Sequence, residues 1–240
     1  MAVHPSHEEE QALVRKFFGG DNSGYFVEVG ANHPTHGSQT WHLEQSGWTG
    51  VLVEPQPDLA AFLVASRKAR VFATACSSPE NAGQSLPLHV DSPRSALDRD
   101  RMSPGAQAAY VLVVPTRTLD SILEEAGAPM PIDLLSVDAD GHEVEVLRGF
   151  DFQRWQPLLI LLRDPVGNLS THRYLKRNNY RLVRRLGHNG WYVPAADPVA
   201  VNSSDRWEIL RKYYLALPFR LLRNTWRRVR RSYADWWAGR

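Results

Sequence analysis

Three short stretches of this 240-residue sequence gather residue types that do chemistry. In the first, GYFVEVGANHPTHG, an acid, a glycine and an asparagine (Glu28, Gly30, Asn32) sit at the end of an apolar run, and His33 and His36 stand three apart just beyond. In the second, GVLVEP, the apolar run ends on Glu54. In the third, SVDADGHEVE, five ionisable residues (Asp138, Asp140, His142, Glu143 and Glu145) crowd into eight positions.

A glycine after a strand lets the backbone come close to a ligand, and a helix amino terminus behind it can offer free N–H groups. The G-x-G-x-x-G pattern of dinucleotide enzymes is missing, so the turn alone is a weak signal. Glu54 lies about 24 residues past Gly30, where an acid can accept both hydroxyls of a ribose. Asp138 and Asp140 could hold a cation through oxygen ligands, orient a substrate hydroxyl or engage an amino group. His142 titrates near neutrality and is a candidate general base, whereas Asp140 and Glu143 could equally cap the next helix. His33 and His36 could hold a metal in principle, but turn histidines more often face solvent or substrate, and no zinc is predicted.

These residues need a scaffold that brings them together. The apolar runs at 25–29, 50–53 and 70–75, with helical spacings at 38–46 and from Pro57 to about 66, read as strand, helix, strand, helix, strand. That is half of a doubly wound α/β sheet, in which ligands settle beyond the carboxyl ends of the strands, so Glu28, Gly30, Asn32 and Glu54 should meet at one mouth. Residues 8–18 form a covering helix stopped by Gly19-Gly20. Further strands are predicted at 110–115, 132–137 and 158–162, helices at 118–127 and 143–147, and a closing antiparallel hairpin at 180–183 and 190–193. Between Pro79 and Ala109 the alternation stops, leaving a long lid or surface insertion with at most one strand, near 85–90.

Hydrophobic residues make up 43% and charged residues 22% of the chain, as in a soluble globular protein. The single cysteine excludes an internal disulfide, and the acidic start lacks the basic and apolar segments of a signal peptide. The net charge of +2 hides an asymmetry: residues 206–240 carry ten Arg or Lys against two acids, about +8, leaving 18 basic and 24 acidic residues before them. We therefore divide the chain into a domain at 1–204, with its core at 24–194, and a basic tail at 205–240. In the tail Leu210, Tyr214, Leu222, Trp226, Val229, Tyr233 and Trp237 share a helical face, interrupted at Pro218, with arginines largely elsewhere. Such a tail suits an anionic membrane surface, a partner or its own core. Nucleic-acid binding is not expected, because no recognisable module accompanies the arginines.

Taken in order, FVEVGANHPTHGSQTWHLE, GWTGVLVEP, TRTLDSIL and IDLLSVDADGHEVEVLRGFDFQRWQPLLILL resemble the FkbM-type methyltransferases, a group of class I S-adenosylmethionine-dependent enzymes. The resemblance covers about residues 24–162. It implies a Rossmann-like, mostly parallel seven-stranded sheet with helices on both faces. It also implies transfer of a methyl group, usually to an oxygen of a sugar, polyketide or other secondary metabolite. By this resemblance Glu28, Gly30 and Asn32 match the cofactor turn, Glu54 the ribose acid, Cys76-Ser77 the segment near the adenine, and Asp138, Gly141 and Glu143 the second acidic motif. Asp140 stands where the family commonly has Glu, and Arg163 where similar proteins often have an acid. Asp138 or His142 would take the hydroxyl proton, in preference to a divalent cation on Asp138 and Asp140, and His33, His36 and Asp140 would face the acceptor. The expectation is a cytoplasmic O-methyltransferase of a glycan, glycolipid or metabolite, peripheral to the membrane. The alternative is a non-catalytic scaffold that binds a partner or membrane through its tail.

Overall fold

The computed structural model describes residues 5–20, 22–91, 94–96, 110–164, 169–201 and 203–215. Helix α1 (Pro5–Phe17) leads into β1 (Tyr25–Val29), α2 (Trp41–Gln45), β2 (Thr49–Val53), α3 (Pro57–Ser66) and β3 (Arg70–Phe72). A departure follows: β4 (Ala75–Cys76), β5 (Ser85–Asp91), β6 (Arg94–Ala96) and β7 (Tyr110–Arg117) form a second sheet in the order β4-β7-β5-β6. The chain then returns through α4 (Leu119–Ala126), β8 (Leu134–Val137), α5 (Glu143–Arg148), α6 (Phe152–Trp155), β9 (Leu159–Arg163), α7 (Ser170–Arg177), β10 (Tyr180–Leu186) and β11 (Asn189–Pro194). Helix α8 (Ser203–Ile209) and a π-helical segment, Leu210–Leu215, follow.

The main sheet has seven strands in the order β10-β11-β9-β8-β1-β2-β3. Only β11 runs against its neighbours β9 and β10, so the sheet is the mostly parallel, Rossmann-like one expected. Because side chains alternate along a strand, β1, β2, β8 and β9 feed two cores. Val27, Val53, Leu135 and Leu162 pack against α4 and α5 on one face. Phe26, Leu52, Leu134 and Leu161 pack against α1, α2 and α3 on the other. Glu10 of α1 accepts from Trp191 Nε1 and Gln39 Nε2, both at 2.9 Å, which ties the covering helix to β11 and to the loop after β1.

Parallel pairing also aligns the strand ends. Val29 is level with Val53 and Val137, and Val137 with Leu162. The next residue of each strand therefore emerges at one edge, which sets Gly30, Glu54, Asp138 and Arg163 side by side.

Three sequence expectations change. The strand expected at 70–75 breaks after Phe72, where Thr74 N–H turns back to the Phe72 carbonyl at 3.1 Å, and its remainder leaves the main sheet to pair with β7. The segment from Pro79 holds the strand expected near 85–90 as β5, paired antiparallel with β7 from Ser85↔Pro115 to Val90↔Tyr110, but also a further strand, β6, and the three join β4 in a separate sheet; residues 92–93 and 97–109 lie outside the described set. Finally, α8 crosses the boundary drawn at 204 and stays on the body through the Arg184–Asp205 ion pair at 3.1 Å, while Tyr213 is buried. The rest of the basic tail, residues 216–240, is outside the described residues. Among the described residues no helix is long and apolar enough to cross a membrane.

Candidate functional site

A cleft of about 680 Å³, including its open mouth, lies at this common edge. Its floor is the turn after β1, its flanks are the ends of β2, β8 and β9, and the second sheet contributes Leu88. Val53, Ala75, Cys76, Leu88 and Val146 are among its apolar lining residues, and Glu54, Asp138, Asp140 and Arg163 are the charged ones.

The turn after β1 is held by contacts rather than by a helix. Gly30 has φ +77°, and a Cβ there would sit 1.9 Å from the Asp138 carbonyl oxygen, so a side chain is excluded by the neighbouring strand end itself. Gly30 and Ala31 N–H both donate to the Val53 carbonyl, at 2.9 and 3.1 Å, and Asn32 N–H donates to Glu54 Oε2 at 2.8 Å. Helix α2 begins only at Trp41, later than the predicted start at 38.

Glu54 therefore has two jobs available to it. It accepts from Asn32 N–H and, at 2.9 Å, from Gln56 N–H, which braces the turn. A carboxylate has about four acceptor sites, so the two that remain can meet a ligand. Burial, and to a smaller extent the charge of Asp138, push its carboxyl above the usual range.

Glu28, assigned to the mouth from the sequence, is elsewhere. It is one residue short of the strand end and so points to the opposite face, where it is 4% exposed. Its carboxylate accepts from Thr40 Oγ1 at 2.6 Å, Gln39 N–H at 2.8 Å and Ser38 Oγ at 3.0 Å. Arg67 completes this network, donating to the Pro34 carbonyl at 2.9 Å, to Thr40 Oγ1 at 3.0 Å and to Glu44 at 3.2 Å. Glu28 shapes the loop; it does not line the cleft.

His142 and Ser77 are likewise not in the lining. The Ser77 hydroxyl and His142 Nε2 are 3.0 Å apart, and Ser77 is fully buried, so the pair joins the start of α5 to the second sheet. His33 and His36 lean on each other, with ring centroids 4.7 Å apart, and His33 meets the edge of Phe62 on α3. They stand off the cleft, whereas Gly30, Asn32, Glu54, Cys76, Asp138 and Asp140 come together in it. Burial raises the Cys76 thiol to about 12, which makes it an apolar wall and not a nucleophile. Among the described residues no group of three or more His, Cys, Asp or Glu side chains is arranged to hold a metal ion.

Sequence reasoning gave Arg163 no role here. Its Nη1 donates to Asp138 Oδ2 at 2.5 Å, and both side chains remain about one-third exposed, at 35% each. Behind them Glu143 is buried and accepts from Gly141 N–H at 2.8 Å. Burial raises its carboxyl to about 7, with the charges of Asp138 and Asp164 acting in the same direction.

That raised value fixes a sign. Between the ordinary carboxyl range and pH 7 the folded chain keeps a proton on Glu143 that the unfolded chain has lost, so stability declines as pH rises through this window, by at most about 3 kcal/mol. Glu143→Gln, which cannot ionise, should lose less stability than the wild type between pH 5 and 8. Urea denaturation across that range measures the difference, and parallel profiles for the two proteins would contradict the assignment.

No curated protein matches the sequence significantly. Among solved structures, M. capricolum TrmK in complex with the cofactor product S-adenosyl-homocysteine is similar at a TM-score of 0.40 and 9% identity. That match covers 80% of this chain and 68% of the other, and is too distant to bear on the fold or the site. The model of the methyltransferase FkbM domain matches residues 28–182, a span that runs from β1 into β10 and takes in every wall of the cleft. The chain belongs to the FkbM methyltransferase family.

Proposed function

We propose that this protein is an S-adenosylmethionine-dependent O-methyltransferase acting on a hydroxyl of a glycan, glycolipid or secondary metabolite. The observation that carries this reading is the alignment of Gly30, Glu54, Asp138 and Arg163 at the rim of one cleft, in a chain of the FkbM family. The cleft has the chemistry the donor needs. Its apolar lining residues suit an adenine, the remaining acceptor sites of Glu54 suit a ribose diol, and its acids outnumber its bases, which suits the positive charge of a sulfonium and an ammonium.

When bound, the donor supplies the methyl group on a sulfonium leaving group. The protein's own tasks are to bring an acceptor hydroxyl into line and to take its proton as the new C–O bond forms and the S–C bond breaks. With Glu54 given to the ribose, Asp138 and Asp140 are the other carboxylates lining the cleft; His142, bonded to Ser77, is not at hand for this step. The second sheet adds the apolar side chains of Ala75, Cys76 and Leu88 to the lining, which disfavours water beside them.

Calorimetric titration of the full chain with S-adenosyl-homocysteine tests the donor site. We expect binding in the micromolar range, weakened on the order of tenfold or more in Glu54→Ala by loss of charged hydrogen bonds to the ribose. Unchanged affinity in that variant, or no binding to the folded wild type, would overturn the reading.

We place the enzyme at the cytoplasmic face of a membrane on the strength of the tail's composition, with arginines beside Trp and Tyr in residues 220–237. Co-sedimentation with vesicles containing anionic lipid should fall when the chain is ended after Leu215, which keeps Tyr213 in its buried position. Equal recovery of both forms in the supernatant would contradict this location.

A further inference from the structure

The Asp138–Arg163 pair is unusual within the cleft, because Arg163 is the only cationic side chain among the described lining residues. Three acids, Glu54, Asp138 and Asp140, line the cleft with it, and its charge is stabilised first by Asp138 and then by Asp140. A one-third-exposed Arg at the end of a buried parallel strand contributes little to the core, where its neighbours Leu161 and Leu162 already fill both faces. The exposed pair instead offers one charge of each sign to the cleft.

The donor assumed above ends in an α-amino acid, with a carboxylate and an ammonium on one carbon. In a low-dielectric cleft that carboxylate needs donors or a cation. The usual source after a first strand, the N–H groups of a glycine turn at a helix amino terminus, is already spent. Gly30 and Ala31 donate to Val53, Asn32 donates to Glu54, and no helix begins before Trp41. At the neighbouring strand end Asp138 N–H donates to the Val29 carbonyl and Gly141 N–H to Glu143.

We propose that Asp138 and Arg163 form a receptor for the amino-acid end of the donor, with Arg163 gripping the carboxylate and Asp138 the ammonium. The pair at 2.5 Å is then the resting form, each partner standing in for one charge of the zwitterion. Exchange of one ion pair for two keeps every charge compensated, so the site opens without leaving a charge unpaired. Guanidinium and carboxylate can meet through two parallel hydrogen bonds, which gives direction as well as energy. With Asp138 occupied in this way, Asp140 is left as the lining carboxylate that receives the acceptor's proton.

This inference rests on the proposed donor, and its test separates the two. The probes are S-adenosyl-homocysteine and S-adenosyl-3-thiopropylamine, which keeps the nucleoside, the sulfur and the amine and lacks only the carboxylate. Both are titrated calorimetrically into the wild type, Arg163→Ala and Arg163→Lys. The wild type should prefer S-adenosyl-homocysteine by roughly 10- to 100-fold, the span of one charged hydrogen-bonded contact. In Arg163→Ala that preference should collapse to about threefold or less while the amine probe binds as before, and Arg163→Lys should restore part of it. Persistence of the full preference in Arg163→Ala, or equal weakening of both probes, would overturn the receptor while leaving the donor site standing. Failure of the wild type to bind either probe would overturn both.

Discussion

The site depends on one geometric constraint: β1, β2, β8 and β9 lie parallel, with the last residues of β1, β2 and β8 level with Leu162, so the first residue beyond each of those three and Arg163, the last of β9, appear at one edge. The closeness of β1 and β8 is carried to its limit at Gly30, where the Asp138 carbonyl occupies the space a side chain would need. Four residues spread over more than 130 positions of sequence thereby become neighbours through backbone hydrogen bonding alone. Their side chains need only be of the right kind.

The loop between β1 and α2 is the weak point of such a design, because it carries the cleft floor without regular structure of its own. Buried charge holds it. Glu28 collects three donors from Ser38, Gln39 and Thr40, and Arg67, itself paired with Glu44, reaches the Pro34 carbonyl and Thr40. A buried pair of this sort contributes little net stability over an apolar replacement, yet losing one partner costs about 3–5 kcal/mol. It selects one loop conformation. That conformation turns the amides of Gly30, Ala31 and Asn32 toward β2, and the task of meeting a carboxylate then falls to Arg163.

Much of the sheet was legible because buried parallel strands read as mainly apolar runs, as at 25–29, 50–53, 132–137 and 158–162. The acids after these runs marked the rim correctly at Glu54 and Asp138. Glu28 was misplaced because the run does not say which residue is last, and a shift of one position moves a side chain to the other face of the sheet. The second sheet was hidden for a different reason. Strands near 85–90 and at 110–115 were expected, but their antiparallel pairing with each other, away from the main sheet, is set by contacts distant in sequence, such as Leu86↔Val114, and β6 is only three residues long. Arg163 was legible only as a departure from the family's usual acid, since its partner Asp138 lies 25 residues earlier and comes beside it only through pairing of β8 with β9. His142 was legible as reactive in type but not in direction: its ring turns to Ser77, a contact spanning 65 residues.

The most direct test of the account is a crystal structure of the full chain grown with S-adenosyl-homocysteine. The account requires the ribose hydroxyls on Glu54, the adenine between Val53 and Leu88, and the amino-acid end inserted between Asp138 and Arg163 with their mutual contact broken. A nucleoside bound elsewhere would contradict it, for instance in the groove at the opposite end of the sheet lined by Pro131, Phe152 and Tyr180. So would a bound ligand at the described rim that leaves the Asp138–Arg163 pair intact.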